Sequence, residues 1–347
     1  MELFTEGKIK FFAENKQTRD SKVFFNPMRD FDRDLNVIFI NALGKHELRG
    51  IDLFGGSGVR GLRLASETNA FNLMRINDLK TSAIISKNVK LNTSKLKSKI
   101  DVTSFDATDI YSSKEGYDYL DIDPFGSPVR YLLQAMPKVR YGGIIAITAT
   151  DGAALYGKAA RAGTLKYGAK SFKTSYFNEV GLRILIKRTE EIANMYDRSV
   201  TPLFFDVRRH YLRVYLRAGK ADARRKLGYI YQCTSCPNRS LMHSDHCEFC
   251  GEKNIEIGPL WLGRLFERDL VKTMYNSAQD ERVKRYLQTM KGESDAVSYY
   301  TTAELASYLK SKEKSVDAYG TKTVLNDKGF RSEREFKDML EEYRKLE

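Results

Sequence analysis

With 347 residues, 42% of them apolar, the chain has enough material for a large core and more than one ordinary domain needs, so two domains are expected. No run approaches the ~20 apolar residues of a membrane span, and the opening Met1-Glu2-Leu3-Phe4 lacks the basic-then-apolar order of a signal peptide, so the expected setting is cytoplasmic, with no membrane partner. The net charge of +13 is uneven, residues 1–219 carrying 35 Lys and Arg against 24 Asp and Glu and the remainder 23 against 21; a nucleic-acid partner explains this, and so does a solvated basic face.

In chain order, short apolar runs alternate with amphipathic stretches from residue 50 to 150, the pattern of βαβ units and a parallel sheet. Strands are predicted over 50–54, 72–77, 100–105, 117–122 and 143–148, with helices over 58–68 and 81–91. An amphipathic stretch over 175–196 then precedes two runs, 201–209 and 211–217, close enough to pair antiparallel. Five parallel strands closed by such a pair is how a Rossmann-like methyltransferase ends its sheet, an analogy at the level of fold. Charged, aperiodic 219–226 predicts a linker and a domain boundary at 219/220. Helices are predicted beyond it over 260–275, 280–290, 302–310 and 332–346, with 319–325 a turn in a winged-helix-like module.

The first strand runs into Gly55-Gly56-Ser57-Gly58-Val59-Arg60-Gly61, and Gly55 and Gly58 are candidates to let the backbone approach a ligand closely. Asp78 closes the second strand, where a carboxylate can accept both hydroxyls of a ribose. Asp106 follows the third, placed for an adenine amino group, and Asp52 at the end of the first would face a methionine moiety. Each alone could cap a helix, and Gly56-Ser57-Gly58-Val59-Arg60-Gly61 also satisfies the G-x-G-x-x-G of a NAD site, which stays open at this point.

The fourth strand decides, because it ends in Asp121-Ile122-Asp123-Pro124-Phe125-Gly126-Ser127-Pro128. An exocyclic base amine is a poor nucleophile, its lone pair delocalised into the ring, so an enzyme must orient it and accept a proton. Asp123 can accept that hydrogen bond, the Pro124 carbonyl a second, and Phe125 offers a flat face to an extruded base. His46 and His210 read as structural or surface residues.

All four cysteines lie within 18 residues, as Cys233-x2-Cys236 and Cys247-x2-Cys250. Two such knuckles can set four thiolates tetrahedrally around a structural zinc ion, with His243 or His246 replacing one thiolate as a minor alternative.

The string Asp123-Pro124-Phe125-Gly126-Ser127-Pro128 resembles the tRNA guanine-26 N2-dimethyltransferase family, and the resemblance covers most of the chain. Residues 25–35, through Arg33, are similar to the segment that closes over the cofactor in that family, and Thr148-Ala149-Thr150-Asp151 to its Thr-x-Thr-Asp segment. The resemblance implies S-adenosylmethionine as cofactor, with Arg33 on the methionine carboxylate, Arg60 on the cofactor, Asp78, Asp106 and Ala107 on ribose and adenine, and Asp123 on the target amine. The expected fold class is α/β: a class I S-adenosylmethionine-dependent methyltransferase domain over 1–219, then a smaller α+β domain over 220–347 with a zinc ribbon that helps grip tRNA. No obligate protein partner is implied. The expected reaction puts methyl groups on N2 of guanine 26, giving N2,N2-dimethylguanosine. Methylation of adenine N6, or RNA binding without catalysis, are the alternatives. Arg161, Lys166 and Lys173 would meet an RNA backbone or form a solvated loop.

Overall fold

The computed structural model describes residues 1–14, 23–208, 210–221, 226–314 and 320–345. A hairpin of β1 (Glu2–Glu6) and β2 (Ile9–Ala13) precedes α1 (Asp30–Ala42). There follow β3 (Leu48–Asp52), α2 (Val59–Glu67), β4 (Phe71–Asn77), α3 (Ser82–Leu91), β5 (Lys99–Thr103), β6 (Tyr117–Ile122), α4 (Val129–Ala135) and β7 (Val139–Ala149). Short helices α5 (Gly152–Leu155) and α6 (Ala160–Tyr167) lead to α7 (Phe177–Asn194) and the long hairpin β8 (Arg198–Arg208) and β9 (Tyr211–Lys220).

One seven-stranded sheet takes the order β5-β4-β3-β6-β7-β9-β8. Strands β3 to β7 run parallel, whereas β9 is antiparallel to both β7 and β8. Strand order reverses between β3 and β6, so their carboxyl ends open a crevice of the kind in which open α/β sheets bind ligands. Each expected strand of the parallel set has a counterpart, and 117–122 agrees at both ends.

The second half starts with β10 (Leu227–Cys233), β11 (Arg239–Ser240) and β12 (Asn254–Trp261), an antiparallel ribbon in the order β11-β10-β12. Helices α8 (Arg268–Ser277) and α9 (Glu281–Gly292), strand β13 (Tyr300–Thr301), helix α10 (Thr302–Leu309), strands β14 (Thr321–Thr323) and β15 (Asn326–Arg331), and α11 (Phe336–Lys345) complete it. The helix expected over 260–275 is wrong in its first part. Leu260 and Trp261 pair with Gly228 and Leu227 across the ribbon, and an apolar run this short does not separate a strand from a helix. Of the expected linker, residues 222–225 lie outside the described residues, as do 319 of the expected turn and 346 of the last helix. The β1/β2 hairpin and α1 were not expected.

The larger apolar core runs from Ile9 through the sheet to Leu260, Val271, Met274, Leu287 and Leu325, crossing position 219/220. Helix α7, buried nearly all round, lies between β8 and β12, and its hidden cations are paired, Arg183 with Glu179 and Lys187 with Glu191. A second, smaller core joins Cys233, Cys236 and Cys247 to Tyr300, Phe330, Phe336 and Tyr343, so the cysteine knuckles and the last helix share one interior.

Candidate active site

The glycine turn after β3 is shaped by contacts that exclude a side chain. A Cβ on Gly55 would lie 2.6 Å from the Ile76 side chain, and Gly58 takes φ +83° as α2 begins. Above the turn opens a cavity of about 500 Å³, whose wall includes Phe24, Arg29, Arg33, Asp52, Gly55, Arg60, Asp78, Asp123, Pro124, Phe125, Thr150, His210 and Tyr211. Eight of the sequence candidates therefore converge on one space.

Gly58, Asp106 and Ala107 are not on that wall. Asp106 turns its carboxylate back to accept from the backbone N–H of Thr108 at 2.9 Å and its hydroxyl at 2.7 Å, bonds that lower its pKa, while Ala107 is buried. Asp78 does two jobs. Its Oδ1 accepts from Lys80 and Thr81 at the start of α3, and its Oδ2 accepts from Gly56 N–H at 2.9 Å on the cavity wall. His210, read as a structural or surface residue, is exposed and also borders the cavity.

Asp123 sits at the end of β6 with both oxygens held by cations. Arg29 Nη1 lies 3.0 Å from Oδ1 and 2.9 Å from Oδ2, and Arg60 Nη2 lies 2.9 Å from Oδ2. Burial alone would raise its pKa, but Arg29, Arg60 and Arg213 outweigh that and hold it below the usual carboxylate range. Asp52 goes the other way: burial, and then the charge of Asp121, push it up to about 7 against the pull of Arg60. Phe125 leaves 54% of its surface exposed at the cavity mouth, its ring edge-on to Phe24 at 4.9 Å.

The sequence does not single out the charged residues Arg29, Asp32 and Arg213, nor Phe24 and Tyr211 on the cavity wall. Asp32, fully buried on α1, binds Arg29 at 2.7 Å and Arg60 at 2.8 Å, and Arg213 Nε lies 3.3 Å from it. Those three guanidiniums pull the Asp32 carboxyl far below its ordinary pKa despite burial. Arg213 also donates to Asp121 and, at 2.7 Å, to Thr148. The available signal was a charge where none belongs, Asp32 on the face of α1 that buries Leu35, Asn36 and Phe39, and Arg213 inside the apolar strand β9. Arg33 is held by Glu6 of the unforeseen hairpin, at 2.6 Å from Nε, and lies over the Phe25 ring.

At the ribbon, the four cysteine sulfurs all lie within 4.8 Å of one another, with pairs at 3.4, 3.5 and 3.7 Å. Thiolates ~2.3 Å from a tetrahedral zinc stand roughly 3.8 Å apart, so the set fits that ion, and it is too wide for disulfides. Backbone N–H groups of Ser235 and Cys236 point at Cys233 Sγ, each at 3.3 Å, the donors a thiolate needs. Among the described residues the cluster holds no histidine; His243 instead stacks edge-on against Tyr231.

A seven-stranded sheet with this strand order, a glycine turn at its reversal and an acidic-aromatic string at the end of β6 define a Rossmann-like methyltransferase. The profile of N2,N2-dimethylguanosine tRNA methyltransferases matches residues 6–336, and the chain belongs to that family. It is 30% identical to the tRNA (guanine(26)-N(2)/guanine(27)-N(2))-dimethyltransferase of Aquifex aeolicus, an alignment spanning 100% of this chain and 96% of the relative. It is 33% identical to the tRNA (guanine(26)-N(2))-dimethyltransferase of Methanosphaerula palustris over 90% of this chain and 85% of that one. Among solved structures, Trm1 from Pyrococcus horikoshii in complex with S-adenosyl-L-methionine superposes with a TM-score of 0.87 at 26% identity, covering 98% of this chain and 99% of the other.

Proposed function

We propose that this protein transfers methyl groups from S-adenosylmethionine to the exocyclic N2 of guanine 26 in tRNA, giving N2,N2-dimethylguanosine. The observation that carries the reading is the ionised Asp123 beside the exposed Phe125 ring, at the edge of a cavity large enough for the cofactor and one extruded base.

Bound S-adenosylmethionine supplies an electrophilic methyl group on a sulfonium. The glycine turn at Gly55 and Gly58 leaves room for it. Asp78 would accept from its ribose, Asp106 and Ala107, just off the cavity wall, would edge its adenine, Asp52 and Arg60 would line the methionine end, and Arg33 would meet its carboxylate. Arg33 must then share its guanidinium with Glu6, and Asp106 must turn from its cap. Phe125 stacks the flipped guanine. The Asp123 carboxylate and the Pro124 carbonyl accept from the N2 amine and aim its lone pair. Because three arginines weaken Asp123 as a base, it orients first. Methyl transfer would move the sulfonium's positive charge onto N2, and Asp123 would then accept a proton from that nitrogen, leaving a neutral methylated amine and a neutral thioether.

We place catalysis in residues 1–219 and tRNA gripping in 220–347, in the cytoplasm, with Cys233, Cys236, Cys247 and Cys250 holding a structural zinc ion. Among the described residues no helix is long and apolar enough to cross a membrane. The test is to incubate the protein with an unmodified tRNA transcript and labelled cofactor, digest to nucleosides and map the product by mass. N2-methylated guanosine at position 26 is expected; N6-methyladenosine without it would overturn the proposal.

A further inference from the structure

Between Gly152 and Asn178 the chain carries five cations, Lys158, Arg161, Lys166, Lys170 and Lys173, and no acidic residue. In a chain with 45 carboxylates such a gap is a local concentration of positive charge, and all five side chains are exposed. Lys166 alone is spoken for, by Asp151 at 3.3 Å. Among the described residues Lys158, Arg161, Lys170 and Lys173 have no ion-pair partner. Apolar groups are interleaved with them: Leu165 is 74% exposed and Phe172 38%.

This surface is built rather than loose. Gly157, at φ +77°, brings its turn against the backbone of Phe172, where a Cβ would come within 2.3 Å, and Gly163 packs α6 onto the Ala154 carbonyl with a Cβ clearance of 2.6 Å. It is also tied to the active site. Tyr167, at the end of α6, donates to Asp151 at 2.6 Å and accepts from Ser127 of the Asp123–Pro128 string at 2.9 Å, while Thr150 lines the cavity itself. On the far side Lys170 pairs through its backbone with Gly258 of the ribbon, at 2.7 and 2.9 Å. A cationic strip thus leads from the lip of the cavity toward the zinc ribbon.

We propose that α6 and the segment through Lys173 form the surface on which the tRNA backbone next to the target base is held, Lys158, Arg161, Lys170 and Lys173 contacting phosphates. This rests on the reading of the chain as a tRNA methyltransferase. A flipped base requires its flanking phosphates to be gripped close to the pocket, and this acid-free strip adjoins that lip.

The test replaces Lys158, Arg161, Lys170 and Lys173 together by Gln and follows binding of an unmodified tRNA transcript across a salt series. Each lost duplex phosphate contact lowers the slope of log affinity against log salt by about 0.9, so a fall of roughly 3 to 4 is expected, with affinity near physiological salt weakened about 100-fold. KM for tRNA should rise in step, while kcat at saturating tRNA and affinity for S-adenosylmethionine stay within about twofold. A control variant changes Lys90, Lys97, Lys99 and Lys114, exposed cations outside the strip, to Gln. An unchanged slope in the first variant, or an equal loss in the control, overturns the proposal. Product mapping with the unaltered protein tests the reaction separately, so the two readings can fail independently.

Discussion

Two clusters of buried charge repay comparison. Beneath the cavity, Arg29, Arg60 and Arg213 meet Asp32, Asp121 and Asp123; between α7 and the second half, Arg183 and Arg331 meet Glu179 and Glu293. The second is closed. Arg331 bridges Glu179 at 2.8 Å and Glu293 at 2.7 Å, and both carboxylate side chains are wholly hidden. In the first, one carboxylate, Asp123, keeps 13% of its side chain open to the cavity. The same ionic chemistry locks parts together where each carboxylate oxygen is bonded within the interior, and keeps a carboxylate at the cavity wall where one is left partly open.

The largest effect should come from breaking the closed cluster. Arg331→Met strands Glu293 without its cation and should cost about 3–5 kcal/mol of stability, read as a fall in the urea midpoint; a double change with Glu293→Met should restore most of it. In the open cluster, Asp123→Asn should cut kcat at least about 100-fold and leave cofactor and tRNA affinity within a few-fold, so that unchanged turnover would rule out its role. Phe125→Ala removes the stacking face, with about 10-fold or more lost from kcat/KM on tRNA and no change in the melting temperature beyond a few degrees.

Asp52 and Asp123 respond to pH in opposite directions. The folded pKa of Asp52 is raised to about 7, so between roughly pH 4 and 7 the cofactor-free native state binds more protons than the unfolded chain, and stability falls as pH rises through that window. Asp123, shifted down, acts oppositely: its stabilisation is present above the ordinary carboxylate range and lost only in stronger acid. Asp52→Asn should therefore flatten the dependence of Tm on pH on the neutral side, a shift of a few degrees, and weaken binding of the sulfonium cofactor. A pH profile identical to that of the unaltered protein would refute the assignment.

What could be read in the sequence was what local order encodes. Strands β3 to β7 follow from alternating apolar runs, the glycine turn from its glycines, and Asp123, Pro124 and Phe125 from one contiguous string. The cysteine spacing likewise anticipates a cluster whose sulfurs converge in space. What escaped is non-local. Arg29 and Asp32 lie at the start of α1 and Arg213 much later in the chain on β9, and they acquire meaning only when those two segments pack on the same strand ends. Nothing in the sequence singles out Glu6, yet it holds both Arg33 and Arg63. The stretch 260–275 misled because its apolar residues are divided among the end of β12, the loop after it, with Leu262, Leu265 and Phe266, and α8.

The unbroken core across position 219/220 sets a limit on how the molecule can be divided. Leu260, Val271 and Met274 are interior residues of the same apolar mass as Leu185 and Phe205, so a gene cut at that point would yield a first half with a raw hydrophobic flank. The first 219 residues are not a portable cassette: moving them into another protein, in the laboratory or in evolution, requires carrying the ribbon and the helices after it as well.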